Sequence, residues 1–169
     1  MFRDSHQVVF GSSPDSIEPS PVTDDKATPK ERLQQFAYWV SGYFKHGDIS
    51  IQTPDVLSHG GPSTTHPPSI TNMTADEQEK IICMGKESEY ELSHMISSQE
   101  QFAYAYREAF LGDTVRTLFP GFKATFLAGE LSPAFAIQAY WKLGNDIKEI
   151  GKSFGLRLIP GSNHFVSLS

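Results

Sequence analysis

The end of the chain constrains the fold most. Lys123–Ala128 reads KATFLA, a short apolar strand, and Gly129-Glu130-Leu131-Ser132-Pro133 follows at once. Ala134–Lys152 carries apolar residues at helical spacing, and Leu156–Ile159 is a second apolar strand that runs into Pro160-Gly161-Ser162-Asn163-His164-Phe165. Two strands joined through a helix pair in parallel, because the crossover returns the chain to the same end of the sheet. The expected class is therefore α/β. In open sheets of this class chemistry collects beyond the carboxyl ends of the strands, and Glu130 and His164 both stand there. A histidine so placed serves as general base when one ring nitrogen meets a hydroxyl or thiol and the other a carboxylate. Glu130, one crossing earlier, is the candidate carboxylate. Spacing alone equally allows a plain turn glutamate and a locally packed histidine.

Three regions are expected. Residues 1–27 form an irregular N-terminal segment, with one apolar run, Val8-Val9-Phe10, before Gly11-Ser12-Ser13-Pro14, Pro19 and Pro21. Residues 28–121 are helix-rich. Thr28-Pro29-Lys30-Glu31 is a capping box with proline at the first helical position. Leu33, Phe36, Ala37, Val40, Tyr43 and Phe44 then predict a helix that reaches His46-Gly47. Its aromatic residues, with Tyr38 and Trp39, read as core rather than as a substrate pocket. Residues 51–72 are a Pro-rich loop without regular structure, of the kind that is functional or mobile. Thr74-Ala75-Asp76-Glu77 opens a further helix toward Cys83, and Glu89–Ile96 and Glu100–Leu111 predict two more. Residues 122–169 hold the strand–helix–strand unit. Val8-Val9-Phe10 can add a third strand at most, so the sheet is expected to keep open edges and an incompletely covered face. Self-association through those strand edges follows as an expectation.

The rest of the composition serves mainly to exclude. A formal net charge of −6 and the absence of a basic run argue against nucleic acid. No window approaches eighteen consecutive apolar residues, so no membrane span is expected. Met1–His6 has no apolar signal core, and Cys83 is the single cysteine, which rules out an intramolecular disulfide and fits a reducing, cytoplasmic location. Asn72-Met73-Thr74 is read as a chance sequon. His46, Asp48, His59 and His66 lack metal-ligand spacing and read as loop residues. Cys83 reads as a buried structural thiol. No cofactor and no metal are expected.

Residues 28 to 166 resemble the C-terminal part of fungal α/β-hydrolases. The pieces are a cap-like stretch ("FAYWVSGYFKH", a Pro-rich loop, "ITNMTADEQ"), then "KATFLAGELSP", a crossover helix, "LRLIPG" and "SNHFV". "GE-x-SP" some thirty residues before "PGSNHF" is the more specific part. The resemblance implies an incomplete α/β-hydrolase fold with ester, amide or thioester hydrolase ancestry. It makes His164 the triad histidine. Relatives commonly carry the acid three positions after the loop glycine, where this chain has Ser132, and Glu130 lies two residues earlier. The family also needs a nucleophile on an elbow between a strand and a helix. That elbow is read as absent, since Gly11-Ser12-Ser13-Pro14-Asp15 lacks the second glycine and Gly161-Ser162-Asn163 lies in the histidine loop. The expectation is thus a truncated or degenerate hydrolase, inactive alone, whose full form takes a small ester-like substrate. The alternative is a small helical binding module without catalysis.

Overall fold

A computed structural model describes residues 21, 24, 26–82, 98–149 and 154–165. The expected strand end at Val8-Val9-Phe10, the helix over Glu89–Ile96 and Cys83 lie outside the described residues. Within them the chain is of mixed α/β class. It runs through α1 (Pro29–Val40), α2 (Ala75–Ile81), α3 (Gln99–Tyr106), α4 (Thr114–Leu118), β1 (Thr125–Gly129), α5 (Ala134–Glu149) and β2 (Gly155–Ile159). The two strands pair in parallel, in register from Thr125 opposite Gly155 to Gly129 opposite Ile159.

α5 is the spine. Phe135 and Ala136 pack with Trp39, Val40 and Phe44. Ala134, Ile137 and Trp141 pack with Leu57 from the loop. Leu143 and Ile147 pack with Tyr106, Phe126 and Leu156. Each large apolar side chain so buried contributes about 1.5–3 kcal/mol, against roughly 1 kcal/mol for a helix cap. Packing on α5, not local helix propensity, therefore holds the upstream elements in place. One polar pin adds to it. The Tyr106 hydroxyl donates to Asp146 Oδ2 at 2.8 Å, and Lys142 pairs with the same carboxylate at 3.0 Å. Burial, then the hydrogen bond and charge of Asp146, raise the Tyr106 pKa and keep the phenol a donor.

Both capping boxes form as the sequence predicts. The Thr28 and Thr74 hydroxyls accept from Glu31 N and Glu77 N, and the two glutamates accept from the threonine backbone N–H groups at 2.8 Å. The end of α1 differs from expectation. The helix stops at Val40, not near His46, and the chain turns at Ser41-Gly42. A Cβ on Gly42 would collide with Pro62, so this glycine permits a close approach of the loop. Phe44 then turns fully into the core with its N–H on Leu131 O at 2.8 Å. Its helical spacing from Val40 is incidental to a tertiary contact.

The Pro-rich loop also differs. It contains three 3-10 turns, Ile49–Ile51, Pro54–Val56 and Ser69–Asn72, and is fastened by buried Leu57 and Ser69. The helix predicted over Glu100–Leu111 is α-helical only to Tyr106. Arg107–Leu111 is wound as a π-turn, with Gly112 N on Arg107 O at 2.6 Å. α4 has no counterpart in the sequence reading.

β1 is an edge. Gly155 N donates to Ala124 O and Glu130 N to Ile159 O, both at 3.0 Å, so the even-numbered residues of β1 bond to β2. The backbone groups of Thr125 and Leu127 therefore point away from it. The Leu127 side chain is 50% exposed, and Leu118, Phe119 and Phe122 just upstream are exposed as well. No described helix is long and apolar enough to cross a membrane.

Candidate functional site

The carboxyl ends of β1 and β2 are drawn together by backbone. Glu130 N donates to Ile159 O at 3.0 Å and Leu131 N to Ser162 O at 2.8 Å. A Cβ on Gly129 would collide with the carbonyl oxygens of Ser162 and Asn163, so the two exits touch main chain to main chain. That contact explains the glycine at the end of the KATFLAG stretch better than any turn requirement. Gly161, at φ +69°, is the residue that reverses the chain after β2. The Glu130 carboxylate closes this turn by accepting from Gly161 N at 3.0 Å.

Asn163 fastens the histidine loop to the upstream half of the molecule. It is fully buried. Its amide nitrogen donates to Ser41 O at 2.6 Å and to Ser69 Oγ at 2.9 Å, and its amide oxygen accepts from Phe165 N at 2.9 Å. Ser69 N also reaches Ser41 O at 2.9 Å. One side chain thus ties together the end of α1, the Pro-rich loop and the residue on either side of His164.

His164 is half-buried between two rings. It meets Phe135 edge-on at 5.5 Å, from the first turn of α5, and Phe165 at 5.5 Å. Burial lowers its pKa from the ordinary 6.5, so the ring is neutral at pH 7. A neutral imidazole is the form that accepts a proton from a hydroxyl.

A second histidine, read from sequence as a loop residue, belongs to the same neighbourhood. His46 Nε2 donates to Ser132 O at 2.7 Å, and His46 Nδ1 accepts from Ser58 N at 2.9 Å. Both ring nitrogens are thereby committed to backbone, which fixes the Nε2–H tautomer. Desolvation lowers its pKa most. The Ser132 bond raises it, His59 lowers it and the Glu130 charge raises it. The Glu130 carboxylate is thus felt at His46, whereas burial is the cause of the His164 shift. No sequence pattern announces His46, because its partners lie 12 and 86 residues away.

Ser132, where the resemblance places an acid, is buried, and its hydroxyl has no hydrogen-bond partner among the described residues. Two strand-end groups proposed from sequence, Glu130 and His164, are therefore brought to the same end of the sheet. The described contacts of Glu130 go to the Gly161 turn and those of His164 to phenylalanine rings.

One pattern escaped the sequence reading. Gly151-Lys152-Ser153-Phe154-Gly155 spells G-x-S-x-G. It stands between the end of α5 at Glu149 and the start of β2 at Gly155, which is helix-to-strand order. The nucleophile elbow needs the opposite order, strand to helix. Ser153 itself lies outside the described residues. In sequence it precedes β2, whereas His164 follows β2. The letters are therefore present in the order opposite to that of an elbow.

Among the described residues no three His, Cys, Asp or Glu side chains converge as a metal site requires. Fold and site together define a chain of α/β class with a parallel strand pair, its crossover helix and a neutral histidine beyond the second strand. Comparison with family models, with curated proteins and with solved structures finds no match to this chain.

Proposed function

We propose that this chain derives from the acid/histidine end of an α/β-hydrolase acting on ester, amide or thioester bonds, and that on its own it does not turn over. The observation that carries this reading is the placement of His164. A neutral imidazole stands past the carboxyl end of the second of two parallel strands, against the first turn of the helix that joins them. That is where a general base for acyl transfer belongs in such a sheet. The resemblance of "GELSP" and "PGSNHF" to fungal hydrolases supports the same reading. Glu130 enters it with one carboxylate oxygen on Gly161 N, leaving the other for an imidazole.

Activity needs more than the base. Among the described residues no serine sits on a strand-to-helix elbow, and without one there is neither a covalent step nor the oxyanion donors that accompany it. The test is turnover of p-nitrophenyl esters of graded acyl length by the purified chain and by His164→Ala. Equal, buffer-level rates are expected for both. Hydrolysis that vanishes in His164→Ala would overturn the inactive reading.

A second reading rests on a different observation, the outward-facing backbone and half-exposed side chain of Leu127. It makes the chain a helical binding module that engages a partner, or a second copy, by adding a strand to β1. The two readings separate by experiment: the first concerns His164, the second the β1 edge.

A further inference from the structure

Midway along, the Pro-rich loop has two firm anchors. Leu57 is buried against Ala134, Ile137 and Trp141 of α5. Pro62 lies on Gly42, and Ser63 N donates to Tyr43 O at 2.6 Å. Between these anchors run Ser58, His59, Gly60 and Gly61. Nothing beyond the chain neighbours lies within 4 Å of where a Cβ would stand on Gly60 or Gly61. Gly61 has φ +98°, a conformation that glycine takes freely. Ser58 N donates to His46 Nδ1 at 2.9 Å, and Ser58 makes no other hydrogen bond among the described residues.

The acceptor of that bond can be lost to a proton. The Nε2–H of His46 is spent on Ser132 O at 2.7 Å, so an incoming proton has Nδ1 to go to. There it turns the acceptor into a second donor facing the Ser58 N–H. The bond to Ser132 survives and strengthens, because a charged donor makes the shorter and stronger hydrogen bond. Protonated His46 therefore keeps its hold on the residues after β1 and loses its hold on the loop. The charges around the ring act in the same sense. Those felt at His46 are His59, which opposes protonation, and Glu130, which favours it. Lys45 and Asp48 on its own stretch and Asp55 on the loop are exposed, and the first turn of α5, residues 134–137, carries no charge. His59 belongs to the stretch that Ser58 begins, so a swing carries a like charge away from the imidazolium. Glu130 stays behind on Gly161 N.

We propose that residues 58–61 are an acid-released flap, with His46 as its latch, Leu57 and Pro62 as its fixed ends and Gly60 and Gly61 as its hinge. The flap is closed on Nδ1 while the ring is neutral and swings out when that nitrogen takes a proton. Desolvation is the largest cause of the lowered His46 pKa, and the swing admits water to the ring and returns it toward the ordinary 6.5. The closed flap thus binds the proton more weakly than the open one, and below pH 6.5 acid favours opening. This device is independent of the role proposed for His164.

The test is amide hydrogen exchange of the full chain by NMR from pH 7 to pH 5, corrected for the pH dependence of the exchange chemistry itself. Protection of Ser58 N is expected to fall by about tenfold per pH unit below 6.5 until the closed-state pKa is reached. Ser63 N and Phe44 N, held on Tyr43 O and Leu131 O, are expected to keep theirs. His46→Gln offers Ser58 N an acceptor that does not titrate and is expected to abolish the pH dependence. Level protection at Ser58 overturns the latch, and so does an equally steep fall in His46→Gln. A fall shared by Ser63 N and Phe44 N overturns the flap, since the chain would then be opening as a whole. A second measurement needs no variant. The ring-nitrogen shifts of His46 are expected to show the proton arriving at Nδ1 with the same midpoint as the Ser58 amide shift, and separate midpoints overturn the proposal.

Discussion

His46 spends both ring nitrogens on backbone, and His164 lies between phenylalanine rings. Both are held neutral by burial. The Glu130 charge is felt at the first of them. Glu130→Gln is therefore expected to lower the pKa of His46 further and to leave His164 where it is, read by NMR titration of the imidazole protons. A fall at His164 would instead identify Glu130 as its carboxylate. The same depressed values set the acid behaviour of the fold. Unfolded chains bind a proton near the ordinary 6.5, while the folded chain refuses it until a lower pH. Below 6.5 the unfolded state thus holds more protons, and stability falls as pH falls toward the folded values. His46→Gln keeps a donor for Ser132 O and an acceptor for Ser58 N without titrating. The stability advantage of the parent over this variant should shrink between pH 7 and pH 5, measured by urea midpoints at each pH. An advantage that grows on acidification would contradict the burial argument. Glu130 and His164 were legible in the sequence because strand ends announce themselves by the apolar runs before them. His46 was not, since no local pattern encodes bonds to Ser58 and Ser132.

The elements divide along the same line. β1, α5, β2 and both capping boxes could be read from the chain because local rules decide them: short apolar runs, helical spacing, a threonine three residues before a glutamate. The end of α1 could not. Tyr43 and Phe44 continue the helical spacing, yet Gly42 lets Pro62 in and Phe44 leaves the helix for the α5 core. The same limit applies to the Pro-rich loop, whose order comes from Asn163, a residue nearly a hundred positions away. Asn163 is therefore where the elements are joined. Replacing it by alanine removes three hydrogen bonds; Ser41 O keeps Ser69 N and Ser69 Oγ, and the Ser69 hydroxyl keeps Ser41 O, while Phe165 N–H loses its amide acceptor. Each lost bond costs about 0.5–1.5 kcal/mol. Asn163→Ala is expected to lower stability by about 3 kcal/mol in urea melts. It should also raise hydrogen exchange at Ser69 N, which sits on the shared Ser41 carbonyl. A loss under about 1 kcal/mol would mean that these elements hold one another by apolar contact alone.

At the scale of the whole molecule the apolar burial among the described residues is one-sided. α5 gathers three clusters on its side of the strand pair, whereas Thr125, Leu127 and Arg157 are exposed. Leu127 opposes Arg157 in register. Two strands are fewer than an independent sheet needs, and proteins that carry a permanent edge usually blunt it with lysine, proline or a bulge. The β1 edge has Leu127 at its centre and Leu118, Phe119 and Phe122 before it, all exposed. Such an edge recruits another strand, and at high concentration the nearest source is a second copy of the chain. Sedimentation velocity should therefore show the weight-average mass rising with concentration through the high micromolar range. Leu127→Lys places a charge at the middle of the edge, where the side chain is already half in water. The variant is expected to stay monomeric over the same range with a urea midpoint within about 0.5 kcal/mol of the parent, as for other surface changes. A parent chain that remains monomeric throughout would show that the edge is covered by something within the protein. The binding-module reading would then lose the surface on which it rests, while the role proposed for His164 would be untouched.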